Sequence, residues 1–157
     1  MLQPYFEWLN NLPVSVAINE SGWIAAVIQA FHLLALVLFT GGVLVVDLRL
    51  LGSGLTQEPV SRVARDSRPW LMWGLIGLTV TGIPQLMSLA QKEYDSEFFW
   101  VKMYFLVAAL VFTFTVRRKV TQAEEARVGR FWSAVVGLVS IALWTGVVVP
   151  ARLIGLF

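Results

Sequence analysis

The chain has 157 residues, 57% of them hydrophobic and 14% charged, with a mean hydropathy of +0.72. A soluble domain is about half apolar and about a quarter charged, so this composition excludes an ordinary cytosolic enzyme and points to a small integral membrane protein of one domain, residues 1–157. The absence of cysteine excludes disulfides, iron–sulfur clusters and thiolate metal sites, and a net charge of +2 with basic residues split between loops leaves no nucleic-acid stripe.

The first 22 residues have no basic residue, no long apolar core and two prolines, so a cleaved leader is not expected. Tyr5, Phe6 and Trp8 fall on an amphipathic stretch suited to the membrane interface or to a docked partner. A bilayer core needs about 20 mainly apolar residues per helix. Four windows qualify, about 23–46, 70–90, 98–116 and 131–149. The expected fold is therefore an all-α four-helix membrane bundle with antiparallel neighbours.

Ser21 is placed to cap the first span, and Asp95 or Ser96 the third. Pro69 suits a first-turn position in the second. Pro84, inside that span, removes a backbone donor and crowds the Val80 carbonyl, which predicts a kink at 80–82. The first connection is expected to hold a short surface turn of helix, and the basic third connection to be helical.

Arg49, Arg62, Arg65 and Arg68 belong to the first loop region, and Arg117, Arg118, Lys119, Arg127 and Arg130 to the third. These nine of the twelve Lys and Arg residues predict that loops one and three are cytoplasmic. Both termini and the acidic QKEYDSE loop then face outward, and the expected location is the bacterial inner membrane, with multiple passes.

His32 is the chain's one histidine. At nine residues past Trp23 it lies roughly 13 Å in from the outer surface. Gln29 is one turn further out on nearly the same face. Gln85, Lys102, Trp144 and Arg152 also fall in the outer half, on three other spans, and a bundle can aim such groups at one interior site. Ionisable residues inside spans are functional candidates. The bland alternatives are snorkelling for Lys102, an interfacial place for Arg152, and interhelical hydrogen bonding for His32 and the two glutamines. Asp47 and Arg49, two residues apart, do not share a helix face. They read as a structural anchor at the inner end, Asp47 pairing with a base such as Arg68 or Arg118, and Arg49 with lipid phosphate or Asp66. The span glycines suit close helix packing, or room for a flat cofactor.

One histidine without cysteine cannot supply a zinc-type ligand set. The methionines are unclustered, which disfavours copper. Haem needs only one axial histidine. The reading is haem b with His32 on the iron, Lys102 and Arg152 facing the propionates and Trp144 lining the macrocycle. Met87, Met103 or His32 of a second copy in a homodimer are candidates for the other axial position.

FHLLALVLFTGGVLVVDLRLLG, RPWLMWGLIGLTVTGIPQL, FFWVKMYFLVAALVF and SIALWTGVVVPARLIGLF together resemble an uncharacterised family of small four-span bacterial membrane proteins. More distantly they are similar to the CopD-like superfamily, which includes copper-resistance membrane domains and four-span protoporphyrinogen oxidases. That likeness implies a haem role for His32 and a functional role for Lys102, with Gly42 and Arg49 as further matching positions. The oxidases carry an additional histidine where this chain has VVDLRLLG. The functional expectation is electron transfer between membrane quinone and a periplasmic partner. A membrane anchor or subunit for a periplasmic protein, and a small ion or proton transporter, are the alternatives.

Overall fold

The computed structural model describes residues 3–123 and 125–154. Four helices are long and apolar enough to cross a membrane: α3 (Gly22–Leu51), α4 (Val60–Ser88), α6 (Glu97–Phe112) with its continuation, and α9 (Arg130–Ile154). The chain is an all-α, multi-pass membrane bundle, as its composition predicts. Short helices cover its two ends. α1 (Gln3–Asn10), α2 (Pro13–Glu20) and α5 (Ala90–Asp95) sit at the end that carries the termini. α7 (Arg118–Gln122) and α8 (Glu125–Val128) sit at the opposite, loop end.

The helices overrun the apolar windows because a chain leaving lipid still satisfies its backbone best as helix. α4 starts at Val60, after Pro59 in an extended conformation (φ −61°, ψ 141°). Pro69 therefore lies inside α4 rather than in its first turn, and the helix expected in the first connection is continuous with the span instead of a separate short turn. Ser21 and Ser96 do occupy the positions before α3 and α6, but neither side chain makes a capping hydrogen bond. α3 ends where Gly52 takes a left-handed conformation (φ 75°), which glycine adopts without steric cost. Its N–H donates to the Arg49 carbonyl and the Ser53 N–H to that of Leu48, both at 3.0 Å, the bonding of a Schellman terminus.

α3 and α9 form the central pair, with α4 against α3 and α6 against α9. In lipid there is no hydrophobic drive between helices, so small residues that allow close approach matter most. A Cβ on Gly74 would stand 2.6 Å from the Phe39 backbone nitrogen, and one on Gly77 would stand 2.8 Å from the Ala35 Cβ. Gly137 of α9 meets the Asp47 carbonyl in the same way, at 3.0 Å. These glycines serve packing. Mid-bundle, Phe39 and Val43 pack with Ala109 and Trp144. At the loop end, Val46 and Leu50 pack with Val60, Val63 and Val136. The outward faces expose Leu34, Val37, Val80, Val107 and Leu138, the apolar surface a lipid-facing bundle presents.

α6 does not end at Phe112. It runs through a π-helical turn, Thr113–Arg117, into α7. Thr113 and Arg117 are both buried while the three residues between them are exposed. The wider turn thus keeps two polar side chains on the interior face, and such turns recur at functional or structurally demanding places.

Candidate functional site

The polar groups of the bundle separate into two layers. The first lies toward the end with the termini, and its centre is His32, which is half-buried on α3. His32 Nδ1 stands 2.8 Å from Thr81 Oγ1 on α4. The Thr81 hydroxyl donates its one proton to the Gly77 carbonyl at 2.6 Å. Its oxygen can therefore only accept from the imidazole, which assigns the ring proton to Nδ1. Nε2 then carries the ring's free lone pair. A histidine oriented this way by a hydrogen bond on its other nitrogen is the arrangement seen at metal-ligating histidines. Gly82, the residue after Thr81 on α4, leaves room for the ring, since a Cβ there would lie 3.5 Å from His32 Cε1.

One turn outward, Gln85 Nε2 donates to Gln29 Oε1 at 2.9 Å, a second bridge between α4 and α3. Both glutamines thus act as interhelical hydrogen-bonders. Lys102 enters from α6. Its Nζ lies 3.8 Å from Glu93 Oε2 and 5.0 Å from the centre of the Phe99 ring. The distance to Glu93 is that of an ion pair rather than a hydrogen bond. The ammonium charge also acts electrostatically on His32. Glu93, in α5 outside the spans, is buried. That burial pushes its carboxyl above the ordinary value of 4.5, and the Lys102 charge pulls it partly back.

A roof closes this layer. Phe6 of α1 packs against Tyr94 (5.1 Å between ring centres), Phe99 (6.0 Å) and Trp100 (6.4 Å). The Trp100 indole N–H donates to the Tyr94 carbonyl at 3.1 Å. Asn19 of α2 ties down the end of α4 by donating to the Ser88 carbonyl at 3.0 Å. The amphipathic N-terminal stretch is therefore folded onto the bundle through Phe6, while Tyr5 and Trp8 remain exposed.

Two of the four candidate cofactor residues, His32 and Lys102, share this layer. Trp144 belongs to the mid-bundle core. Its ring meets Phe39 edge-on at 4.6 Å, and its indole N–H donates to Thr113 Oγ1 at 3.2 Å. Phe39 is seven residues past His32, roughly 10 Å along the helix. Arg152 is exposed near the end of α9.

The second layer lies at the loop end. Asp47 is fully buried, and its Oδ1 accepts from Arg117 Nε at 2.8 Å. Arg117 also donates through Nη2 to the Val43 carbonyl at 3.0 Å. The anchor partner is thus Arg117, not Arg68 or Arg118, because the π turn carries Arg117 inward and leaves Arg118 exposed. Ser140 of α9, also fully buried, acts on the carboxylate, but neither its hydroxyl nor Asp47 Oδ2 has a partner with hydrogen-bond geometry. Arg49 turns the other way and donates to the Glu58 carbonyl at 2.6 Å, fastening the connection between α3 and α4.

Sequence reasoning missed Thr81, Glu93, Thr113, Arg117 and Ser140. Hydroxyls inside spans were the available signal, but each was indistinguishable from one bonded to its own helix.

Among the described residues, no group of three His, Asp or Glu side chains forms a metal cluster. The donor set does fit haem in two respects. It offers one imidazole with an oriented lone pair, and one lysine held by charge alone.

No curated protein and no solved structure matches the chain. One family model does match, over residues 5–157, and is described as a family of unknown function. With that match spanning all four crossing helices, the chain belongs to the DUF6644 family.

Proposed function

We propose that the chain is a haem b-binding electron-transfer protein of the bacterial inner membrane, working between membrane quinone and a periplasmic partner. The observation that carries this reading is the relay from His32 Nδ1 to Thr81 Oγ1 to the Gly77 carbonyl, which leaves Nε2 as an oriented ligand atom. The distant CopD-like resemblance supports the same role for His32 and Lys102.

Haem bound there supplies one-electron chemistry. The chain's own residues do the rest. Thr81 fixes the tautomer and the direction of the ring. Lys102 would offer a cation to a propionate, since its 3.8 Å contact with Glu93 is too long to occupy its donors. Phe99, within the aromatic cluster that Phe6 and Trp100 complete, stands beside the Lys102 ammonium and helps to place it.

The full chain purified from haem-supplied cells should show a Soret band. His32→Ala should abolish it, and Thr81→Val should weaken haem retention about 10- to 100-fold, the usual effect of losing an orienting hydrogen bond. A wild-type preparation with no Soret band overturns the proposal. A second reading, an anchor for a periplasmic protein, draws on the exposed Tyr5 and Trp8 of α1. A stoichiometric partner co-purifying without cofactor absorbance would favour it.

A further inference from the structure

A groove of 540 Å³ opens between α3 and α4, away from His32 and toward the loop end. Its volume lies within the range of about 300–1,000 Å³ typical of small-molecule sites. Val37, Leu38, Val45 and Trp70 make apolar walls. Gly41 leaves one side empty, since nothing stands within 4 Å of where its Cβ would be. Gly42, Gly74, Gly77 and Gly82 of the same helix pair each meet a neighbour, whereas mid-span Gly41 meets none, so helix packing does not account for it.

The far end of the groove is polar. Arg62 and Glu58 line it and neutralise each other at 3.0 Å. Asp66 and the buried Ser67 line it too, and neither side chain has a hydrogen-bond partner among the described residues. The lining thus holds one unpaired carboxylate, one unpaired hydroxyl and no unpaired cation. That balance repels a phosphate, which every glycerophospholipid carries and which basic pockets recognise. It suits an uncharged head that both donates and accepts hydrogen bonds, on an apolar tail lying along Val37 and Leu38.

We infer that this groove binds the ring of an isoprenoid quinone. The ring lies flat over Gly41 beside Trp70, with Asp66 accepting from a quinol hydroxyl and Ser67 donating to a quinone carbonyl. The choice of ring rests on the proposed redox role, but the groove is separate from the His32 layer. Gly41 is nine residues from His32, roughly 14 Å along α3.

The test titrates the full chain in phosphatidylcholine nanodiscs with a decyl-chain benzoquinone and with a prenylated naphthoquinone, following tryptophan quenching. One of the two should quench saturably, through a component that Trp70→Phe removes. Gly41→Leu, which fills the groove without striking α4, should weaken binding at least tenfold while leaving the melting temperature unchanged. Ser67→Ala should weaken it about threefold. Saturable quenching that persists in His32→Ala, or without any Soret band, supports the groove even where the haem reading fails. A Soret band with no saturable quenching overturns the groove. So does a Gly41→Leu titration that matches wild type, or displacement of the quinone by phosphatidylethanolamine at equal mole fraction.

Discussion

Breaking the Asp47–Arg117 pair should unfold the loop end of the bundle, and removing both charges should largely restore it. The side chains are 0% and 5% exposed, so neither charge has water to fall back on. Removing one partner of such a buried pair costs about 3–5 kcal/mol, because the other charge is left uncompensated. The structure orders the two single variants within that range. In Asp47→Asn the amide oxygen still accepts from Arg117 Nε, and the guanidinium keeps its bond to the Val43 carbonyl. This variant belongs near about 3 kcal/mol. In Arg117→Met the Asp47 carboxylate loses its one well-formed side-chain bond, and its Oδ2 has no partner to begin with. That variant belongs near about 5 kcal/mol. The double variant Asp47→Asn/Arg117→Met buries no net charge, and its loss should fall well below the sum of the two. Reversible unfolding in mixed micelles, followed by tryptophan emission, gives the three differences and hence the coupling energy. Losses that add to within about 0.5 kcal/mol would refute the reasoning, since independent sites behave that way.

Glu93 predicts a pH dependence at the other end. Its carboxyl sits above 4.5 in the folded chain, so the folded state holds that proton more tightly than the unfolded state. Stability should fall as pH rises from the ordinary value through the raised one, and then level off. Glu93→Gln should lack that slope, and parallel melting profiles for the two proteins across this window would contradict the assignment. The glycines predict a contrast. Gly74→Ala drives a methyl into the Phe39 backbone, which cannot yield, and should cost about 1–3 kcal/mol. Gly146→Ala meets the Phe105 side chain at Cγ, Cδ1 and Cε1 rather than a backbone; that side chain is on the exposed face and can swing outward, so this change should cost less than Gly74→Ala. Equal losses in the same unfolding assay would show that backbone contact is not what sets helix spacing here.

The four spans were legible because lipid forces a single solution on a long apolar run. Their ends were less so. Arg62, Arg65 and Arg68 read as loop by charge, yet the backbone stays helical through them to Val60. Lys102 and His32 were legible as partners in depth, because rise per residue is all that depth requires. Their companions were not. Thr81 matters only because α4 turns it toward α3, and rotation about a helix axis is not written in an apolar sequence that is greasy on every side. Arg117 shows the limit most plainly. Among Arg117, Arg118 and Lys119, composition offers no ground for choosing one. The π turn chooses, by keeping Arg117 on the same interior face as Thr113.

That turn also explains why the two polar layers differ in kind. Arg117 is held by two hydrogen bonds of 3.0 Å or less, to Asp47 and to the Val43 carbonyl, both on α3. Thr113, four residues earlier, receives the Trp144 indole from α9. One turn of α6 therefore fastens both members of the central pair, and the loop end can move only if two helices move together. The His32 layer has no such knot. Its bonds between α3 and α4 are good, but α6 joins it through the 3.8 Å contact of Lys102 with Glu93 and through the packing of Phe99 and Trp100 against Phe6 and Tyr94. A ligand that took Lys102 from Glu93 would disturb a roof and one ion pair, and would leave the packing of α3, α4 and α9 as it is. At the His32 end an ion pair can open without parting α3 from α9, which the Arg117 knot at the loop end does not allow.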